Sequence, residues 1–112
     1  MKLTIREFLT AEGRSPFRNW VENLELTVRA RVQARVLRFE TGNLGDCRVV
    51  GDGVWEARLM VGPGYRIYFG REGPSIIPLL LGRDKASQLK DIRDARRFWR
   101  EYPGAMQHGK TE

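Results

Sequence analysis

The stretch that decides the fold is Val54–Phe69, which reads VWEARLMVGPGYRIYF. Apolar and polar residues alternate on both sides of the segment Gly62–Gly64. Alternation with a period of two predicts strands that each bury one face. A Gly-Pro-Gly segment between two such runs predicts a tight hairpin. The centre of the chain is therefore predicted to be two antiparallel strands.

A loop made of these three residues alone would fix the register of the hairpin. The predicted core face then carries Trp55 and the pairs Val61–Tyr65, Leu59–Ile67 and Ala57–Phe69. The opposite face carries Glu56, Arg58, Met60, Arg66 and Tyr68. In this register Arg58 lies opposite Tyr68 and diagonal to Arg66, an arrangement that favours an anion between the two guanidinium groups. The alternative is an ordinary solvated strand face, on which Glu56 pairs with one of the arginines.

The patterns on either side of the hairpin predict six more elements. They are a strand over 2–9, a helix from Ser15-Pro16 to Asn23, a helix over 26–40, strands over 47–50 and 76–81, and a helix over 86–102. The order is β-α-α-β-β-β-β-α, which predicts one α+β domain over residues 1–102 and a flexible polar tail over 103–112. Pro78 cannot donate a ladder hydrogen bond and predicts a bulge or an unpaired stretch.

The last helix is predicted to be amphipathic. Its expected inward residues are Leu89, Ile92, Ala95 and Trp99, and its expected outward residues are Lys90, Arg93, Arg97 and Arg100.

Composition narrows the class of protein. Among 112 residues, 20 Lys and Arg oppose 14 Asp and Glu, which gives a net charge of +6 and predicts a polyanionic partner. Cys47 is the single cysteine, so neither a disulfide framework nor a cysteine-based metal site is expected. The apolar run Ile76–Leu81 is too short to span a bilayer and the N-terminus does not resemble a signal peptide, so a cytoplasmic protein without a membrane partner is expected.

Three segments together resemble a known family. They are Trp55–Arg58, Gly62–Phe69 and Leu81–Ile92, and the resemblance extends from the first strand to Arg100. On these motifs the chain is similar to the HigB-type addiction-module killer proteins, often phage-derived, of the RelE/ParE toxin superfamily. The resemblance implies a RelE-like fold, with a mainly antiparallel twisted sheet packed against an N-terminal αα-hairpin and a C-terminal helix.

The same resemblance implies a function. Such toxins are held silent in a hetero-oligomer by a cognate antitoxin, usually a helix-turn-helix DNA-binding protein. Many are ribosome-dependent endoribonucleases (mRNA interferases) that cut mRNA and so inhibit translation. They need no metal or other cofactor, because the RNA 2′-hydroxyl attacks the adjacent phosphate.

Candidate site residues follow from the motifs and from the basic residues on one side of the 26–40 helix and of the last helix. The resemblance implies that Arg66 stabilises the phosphate, with Arg58 beside it on the neighbouring strand. Tyr68 and Lys85 are candidate catalytic residues, and either of them, or Lys90, could be the general base. The expected RNA and phosphate contacts are Arg83, Gln88, Lys90, Arg35 and Arg38.

A second function stays open on the same fold. A ParE-like toxin inhibits DNA gyrase without catalysis, and fold alone does not separate the two activities. Ribonuclease relatives of the RelE branch carry a tyrosine near the start of the last helix, where this chain has Lys90. Other ribonuclease relatives use histidines, and the single histidine here, His108, belongs to the predicted tail. These departures favour the gyrase inhibitor, whereas the arginine face and the motifs favour the ribonuclease.

Overall fold

The computed structural model describes residues 2–84 and 88–103. Its elements are β1 (Thr4–Glu7), α1 (Pro16–Glu22), α2 (Leu26–Glu40), β2 (Cys47–Gly51), β3 (Val54–Leu59), β4 (Tyr65–Phe69), β5 (Ile76–Asp84) and α3 (Gln88–Glu101). The predicted α+β class and element order are confirmed over this part of the chain. Lys85 and the predicted tail beyond residue 103 lie outside the described residues.

The five strands form one mixed sheet in the order β1-β5-β4-β3-β2. β1 runs parallel to β5, and the other neighbouring strands are antiparallel. Helices α1 and α2 pack on one face of the sheet and α3 packs on the other. Each face therefore has its own apolar core. None of the helices in the described ranges is long and apolar enough to cross a bilayer.

The β3–β4 hairpin keeps the predicted faces but not the predicted register. Its pairs are Leu59 with Tyr65, Arg58 with Arg66, Ala57 with Ile67, Glu56 with Tyr68 and Trp55 with Phe69. The prediction that Val61 pairs with Tyr65 was wrong, because the turn begins at Val61, whose carbonyl accepts a hydrogen bond from the Gly64 amide at 2.9 Å. A shift of two residues leaves every side chain on its predicted face.

A bulge in β5 decides what lies on the α3 face. Leu80 has no partner in the β4–β5 ladder, because two consecutive residues of β4 pair with Leu79 and Leu81. Leu79 packs in the α1/α2 core, whereas Leu80 and Leu81 both pack in the α3 core. The bulge expected near Pro78 is confirmed, and β5 continues beyond it to residue 84. Arg83, two residues after Leu81, consequently lies on the α3 face.

Close packing against Gly82 generates a stability prediction. A Cβ atom at Gly82 would overlap the indole ring of Trp20, which lies on the β5 backbone. We expect Gly82→Ala to lower the free energy of unfolding by about 1–3 kcal/mol, the usual cost of overpacking a filled core. Chemical denaturation measures this change. In the double variant Gly82→Ala/Trp20→Leu the two losses should be smaller than additive, and full additivity would contradict the explanation.

Candidate functional site

Three arginines stand side by side on the α3 face of the sheet. In the strand registers Arg58 of β3 pairs with Arg66 of β4, and Arg66 pairs with Arg83 of β5. We call these three residues the arginine row. Directly opposed like charges destabilise a sheet unless other groups compensate them. The row therefore needs anions, supplied either by the protein or by a ligand.

The protein supplies one carboxylate to each member of the row. The pairs are Arg58–Asp46 at 3.3 Å, Arg66–Glu56 at 3.5 Å and Arg83–Asp91 at 3.5 Å between nitrogen and oxygen. The side chains of Arg58 and Arg83 are 49% and 42% exposed, whereas that of Arg66 is 15% exposed. Two guanidinium groups thus face solvent, and the middle one lies deeper between them.

Although each arginine of the row has a carboxylate nearby, several polar atoms of these ion pairs form no hydrogen bond. Among the described residues, Nε and Nη1 of Arg66 are buried and have no hydrogen-bond partner. The same holds for both carboxylate oxygens of Asp91, a residue that is 1% exposed. Buried polar groups without partners are costly, so they point to groups that a ligand or water would satisfy. The row is neutralised in part but not saturated.

Glu56 organises the space beneath the row. Its carboxylate is fully buried and accepts hydrogen bonds from Arg48 Nε at 3.0 Å, the Tyr68 hydroxyl at 2.9 Å and Gln88 Nε2 at 2.9 Å. Burial alone would raise the pKa of this carboxyl, but the hydrogen bonds from Gln88, Tyr68 and Arg48 outweigh burial and lower the pKa below its usual value. Glu56 is therefore ionised at neutral pH.

Tyr68 occupies a position that does not suit a general base. Its side chain is fully buried, and its hydroxyl donates to Glu56. Burial and the adjacent Glu56 carboxylate raise the pKa of Tyr68 far above its usual value. A general base needs a pKa near the working pH and contact with its substrate. Tyr68 is therefore unsuited to be the general base, and its hydroxyl instead holds the Glu56 carboxylate.

A cleft opens beside the arginine row at the hairpin end. Its volume is about 340 Å³, and its walls are Arg58, Met60, Tyr65, Arg66 and the loop Gly62–Gly64. Met60 is 87% exposed at the rim. Ligand pockets begin at about 300 Å³, so the cleft can hold a group of nucleotide size with its phosphate against the two arginines.

The other predicted contacts fall into different places. Gln88 and Arg83 lie at the site, as described above. Lys90 is exposed and pairs with Asp94 at 2.9 Å. Arg38 is exposed on α2 and lines a second depression of about 310 Å³, which shares Met60 with the cleft.

Arg35 has a structural position and not the expected phosphate contact. It is buried, and its guanidinium donates to the carbonyl oxygens of Leu44, Asp46 and Arg58 at 2.9–3.3 Å. These bonds hold the segment that leads into β2 and the end of β3 against α2. Its hydrogen-bonding groups are consequently directed into the fold.

Sequence reasoning named Glu56 as a possible partner of one arginine but missed the other two acidic partners of the row, Asp46 and Asp91. Leu89 was expected to point inward, but it is 82% exposed, and the inward residues of α3 are Asp91, Ala95 and Trp99. Asp91, Ala95 and Trp99 are four residues apart, as expected for one face of a helix. The sequence did not favour this face as the inward one, because it places a carboxylate among apolar residues. The Arg83–Asp91 pair also depends on the β5 bulge, because the bulge places Arg83 on the α3 face. In the sequence, Pro78 was the only indication of that bulge.

The fold and the site define a small basic α+β protein with an arginine-lined cleft. The chain is 40% identical over 81 residues to an uncharacterized protein of Haemophilus influenzae, and the match covers 71% of this chain and 82% of that protein. The chain belongs to the family of that protein. No protein-family model matches the chain.

Removal of the Glu56 charge tests its organising role. We expect Glu56→Gln to lower the free energy of unfolding at pH 7 by about 3 kcal/mol, because a buried partner of Arg48 and Arg66 loses its charge. The folded-state pKa of Glu56 is lowered, so its contribution is present above the ordinary glutamate value of 4.5 and is lost as the pH falls through the folded pKa. The difference between the two proteins should therefore shrink below pH 4.5.

Denaturant unfolding between pH 7 and pH 3 measures this difference. Asp46→Asn is the matched control, since Asp46 is 56% exposed and its pairing with Arg58 should contribute less than about 1 kcal/mol. An equal loss in both variants, or a difference that does not depend on pH, would contradict the assigned role.

Proposed function

We propose that this chain is the toxin of a type II toxin–antitoxin pair, with a RelE-like arrangement, and that it is an mRNA endoribonuclease acting at the ribosome. The observation that carries the proposal is the arginine row at a cleft of nucleotide size. The similarity to HigB-type toxins at the hairpin and at the β5–α3 segment supports it. The net charge of +6 suits an RNA partner.

In the proposed reaction, the scissile phosphate lies between Arg58 and Arg66. The 2′-oxygen of the ribose attacks the phosphorus, the bond from phosphorus to the 5′-oxygen breaks, and a 2′,3′-cyclic phosphate and a 5′-hydroxyl form. The arginines stabilise the charge that develops on the phosphorane oxygens. Arg66 lines the cleft and its side chain is 15% exposed, so its guanidinium is within reach of this charge.

The proposed proton acceptor is Lys85. Of the three candidates, Tyr68 donates to Glu56, and Lys90 is exposed beside Asp94, where its amine is not desolvated. Lys85 follows Arg83 by two residues in the sequence. It takes the proton of the 2′-hydroxyl, and the 5′-oxygen takes a proton from water.

The proposed partners are the ribosome, mRNA and a cognate antitoxin, in the cytoplasm. We expect the antitoxin to be a helix-turn-helix DNA-binding protein that forms a hetero-oligomer with this chain. An acidic or amphipathic antitoxin segment laid over the basic surface would block the cleft.

A ParE-like inhibitor of DNA gyrase is the second candidate. The burial of Tyr68 and the carboxylate beside each member of the arginine row favour it, because arginines so paired can serve structure alone. In that case the basic face is a protein-binding surface without chemistry.

Substitution of Arg66 tests the ribonuclease. We expect Arg66→Ala to reduce mRNA cleavage by about 10²–10³-fold, the usual effect of removing one donor to a transition-state oxyanion. Primer extension on a transcript after induction, with ribosomes present, measures the cleavage. Arg14→Ala removes an exposed arginine before α1 and should leave cleavage unchanged.

Two outcomes would count against the ribonuclease. Cleavage by Arg66→Ala at the rate of the unmodified protein would remove the arginine row from the reaction. Intact transcripts together with stalled replication and an induced DNA-damage response would establish the gyrase inhibitor instead.

A further inference from the structure

A second group of arginines lies on α3, on the side that faces away from the sheet. Arg93, Arg97 and Arg100 are exposed and follow each other at intervals of four and three residues. This spacing places them along one face of a helix over about 10 Å of its axis. We call these three residues the helix stripe.

The surroundings of the helix stripe leave its charge largely uncompensated. Within the described residues, Arg93 and Arg100 have no ion-pair partner. Arg97 approaches Asp94 at 3.9 Å and lies over the Phe98 ring at 5.0 Å. Asp94 also pairs with Lys90, so one carboxylate is shared between two cations.

A depression beside the helix stripe gives a ligand room to approach. Its volume is about 470 Å³, and it is lined by the stripe together with Asp52, Asp94 and Arg96. Arg96 closes its inner end, because its guanidinium donates to the Val50 carbonyl and lies 3.8 Å from Asp52. Arg96 therefore serves the fold, and the three outer arginines remain for a partner.

We propose that the helix stripe binds the phosphate backbone of RNA at a site separate from the arginine row. From Arg93 to Arg100 the outward side of α3 presents guanidinium groups, and the exposed apolar side chain Leu89 lies one turn earlier. The core of a protein–protein interface is apolar, whereas a phosphate backbone needs only regularly spaced cations. The chemistry of this face therefore selects a polyanion.

The position of α3 links the two sites. Its first turn reaches the arginine row through Gln88, which donates to Glu56, and through Asp91, which pairs with Arg83. From there its 14 residues run for about 21 Å. An RNA strand held in the cleft can continue along this helix. That the polyanion is RNA rests on the proposed function, whereas the inference that the stripe binds phosphate groups does not.

The salt dependence of RNA binding tests the inference. The probe is a single-stranded RNA of about 20 nucleotides, longer than the 4–16 nucleotides of a typical single-strand site, and its affinity is measured between 50 and 200 mM salt. For Arg93→Gln/Arg100→Gln we expect the slope of log affinity against log salt to fall by about 1.4, as two lost contacts to a single strand predict. The control Lys2→Gln/Arg14→Gln loses the same charge from exposed positions outside α3 and should keep the slope.

Each outcome decides the inference. An equal fall in slope for both double variants would overturn it, because net charge alone would then explain binding. An unchanged RNA slope with weaker binding of poly-glutamate would overturn it in favour of an acidic protein partner. The single variants Arg93→Gln and Arg100→Gln should each lose about half of the effect. Cleavage is scored separately, with the unmodified protein and with Arg66→Ala. An unmodified protein that does not cleave the transcript but still shows the stripe effect would refute the ribonuclease and keep the inference.

Discussion

The buried carboxylate of Glu56 is the constraint on which the site depends. It accepts hydrogen bonds from β2, β4 and α3 and lies 3.5 Å from the guanidinium of Arg66. A buried ionised group is tolerated only when its hydrogen bonds are satisfied. The same bonds that keep Glu56 charged therefore fix the first turn of α3 over the sheet and hold Arg66 at the cleft.

The ion pairs that balance the arginine row differ in how deeply they are buried. Arg66 is deep and is balanced by a carboxylate with no exposure, whereas Arg58 lies near the surface and is balanced by the exposed Asp46. Surface pairs of this kind are weak and exchange readily with water or ligand. A phosphate can therefore displace Asp46 at little cost, while Glu56 keeps Arg66 in place. For the proposed function, this division keeps Arg66 ordered before a phosphate arrives.

Sequence alone predicted the alternation of faces and the element order of the described residues, because both depend on local periodicity and on turn residues such as Gly62–Gly64. It did not predict the pairing within the hairpin, since a loop over residues 60–64 and one over 62–64 leave the same faces. Nor did it predict that Arg35 is buried, because its partners are backbone carbonyls from distant segments. Asp91 was missed for a similar reason, since its partner Arg83 comes from another element.

Because Leu80 is unpaired in the β4–β5 ladder, the site depends on the number of residues in β5. Deletion of one residue there would restore regular alternation in β5 and turn everything after it to the opposite side of the sheet. The arginine at position 83 would then point toward the indole of Trp20, and the glycine that receives this ring would be displaced. Homologues that keep the arginine row should accordingly tolerate substitutions in this strand far better than insertions or deletions. The count of residues between Pro78 and Arg83 is thus as much a signature of the site as the residues themselves.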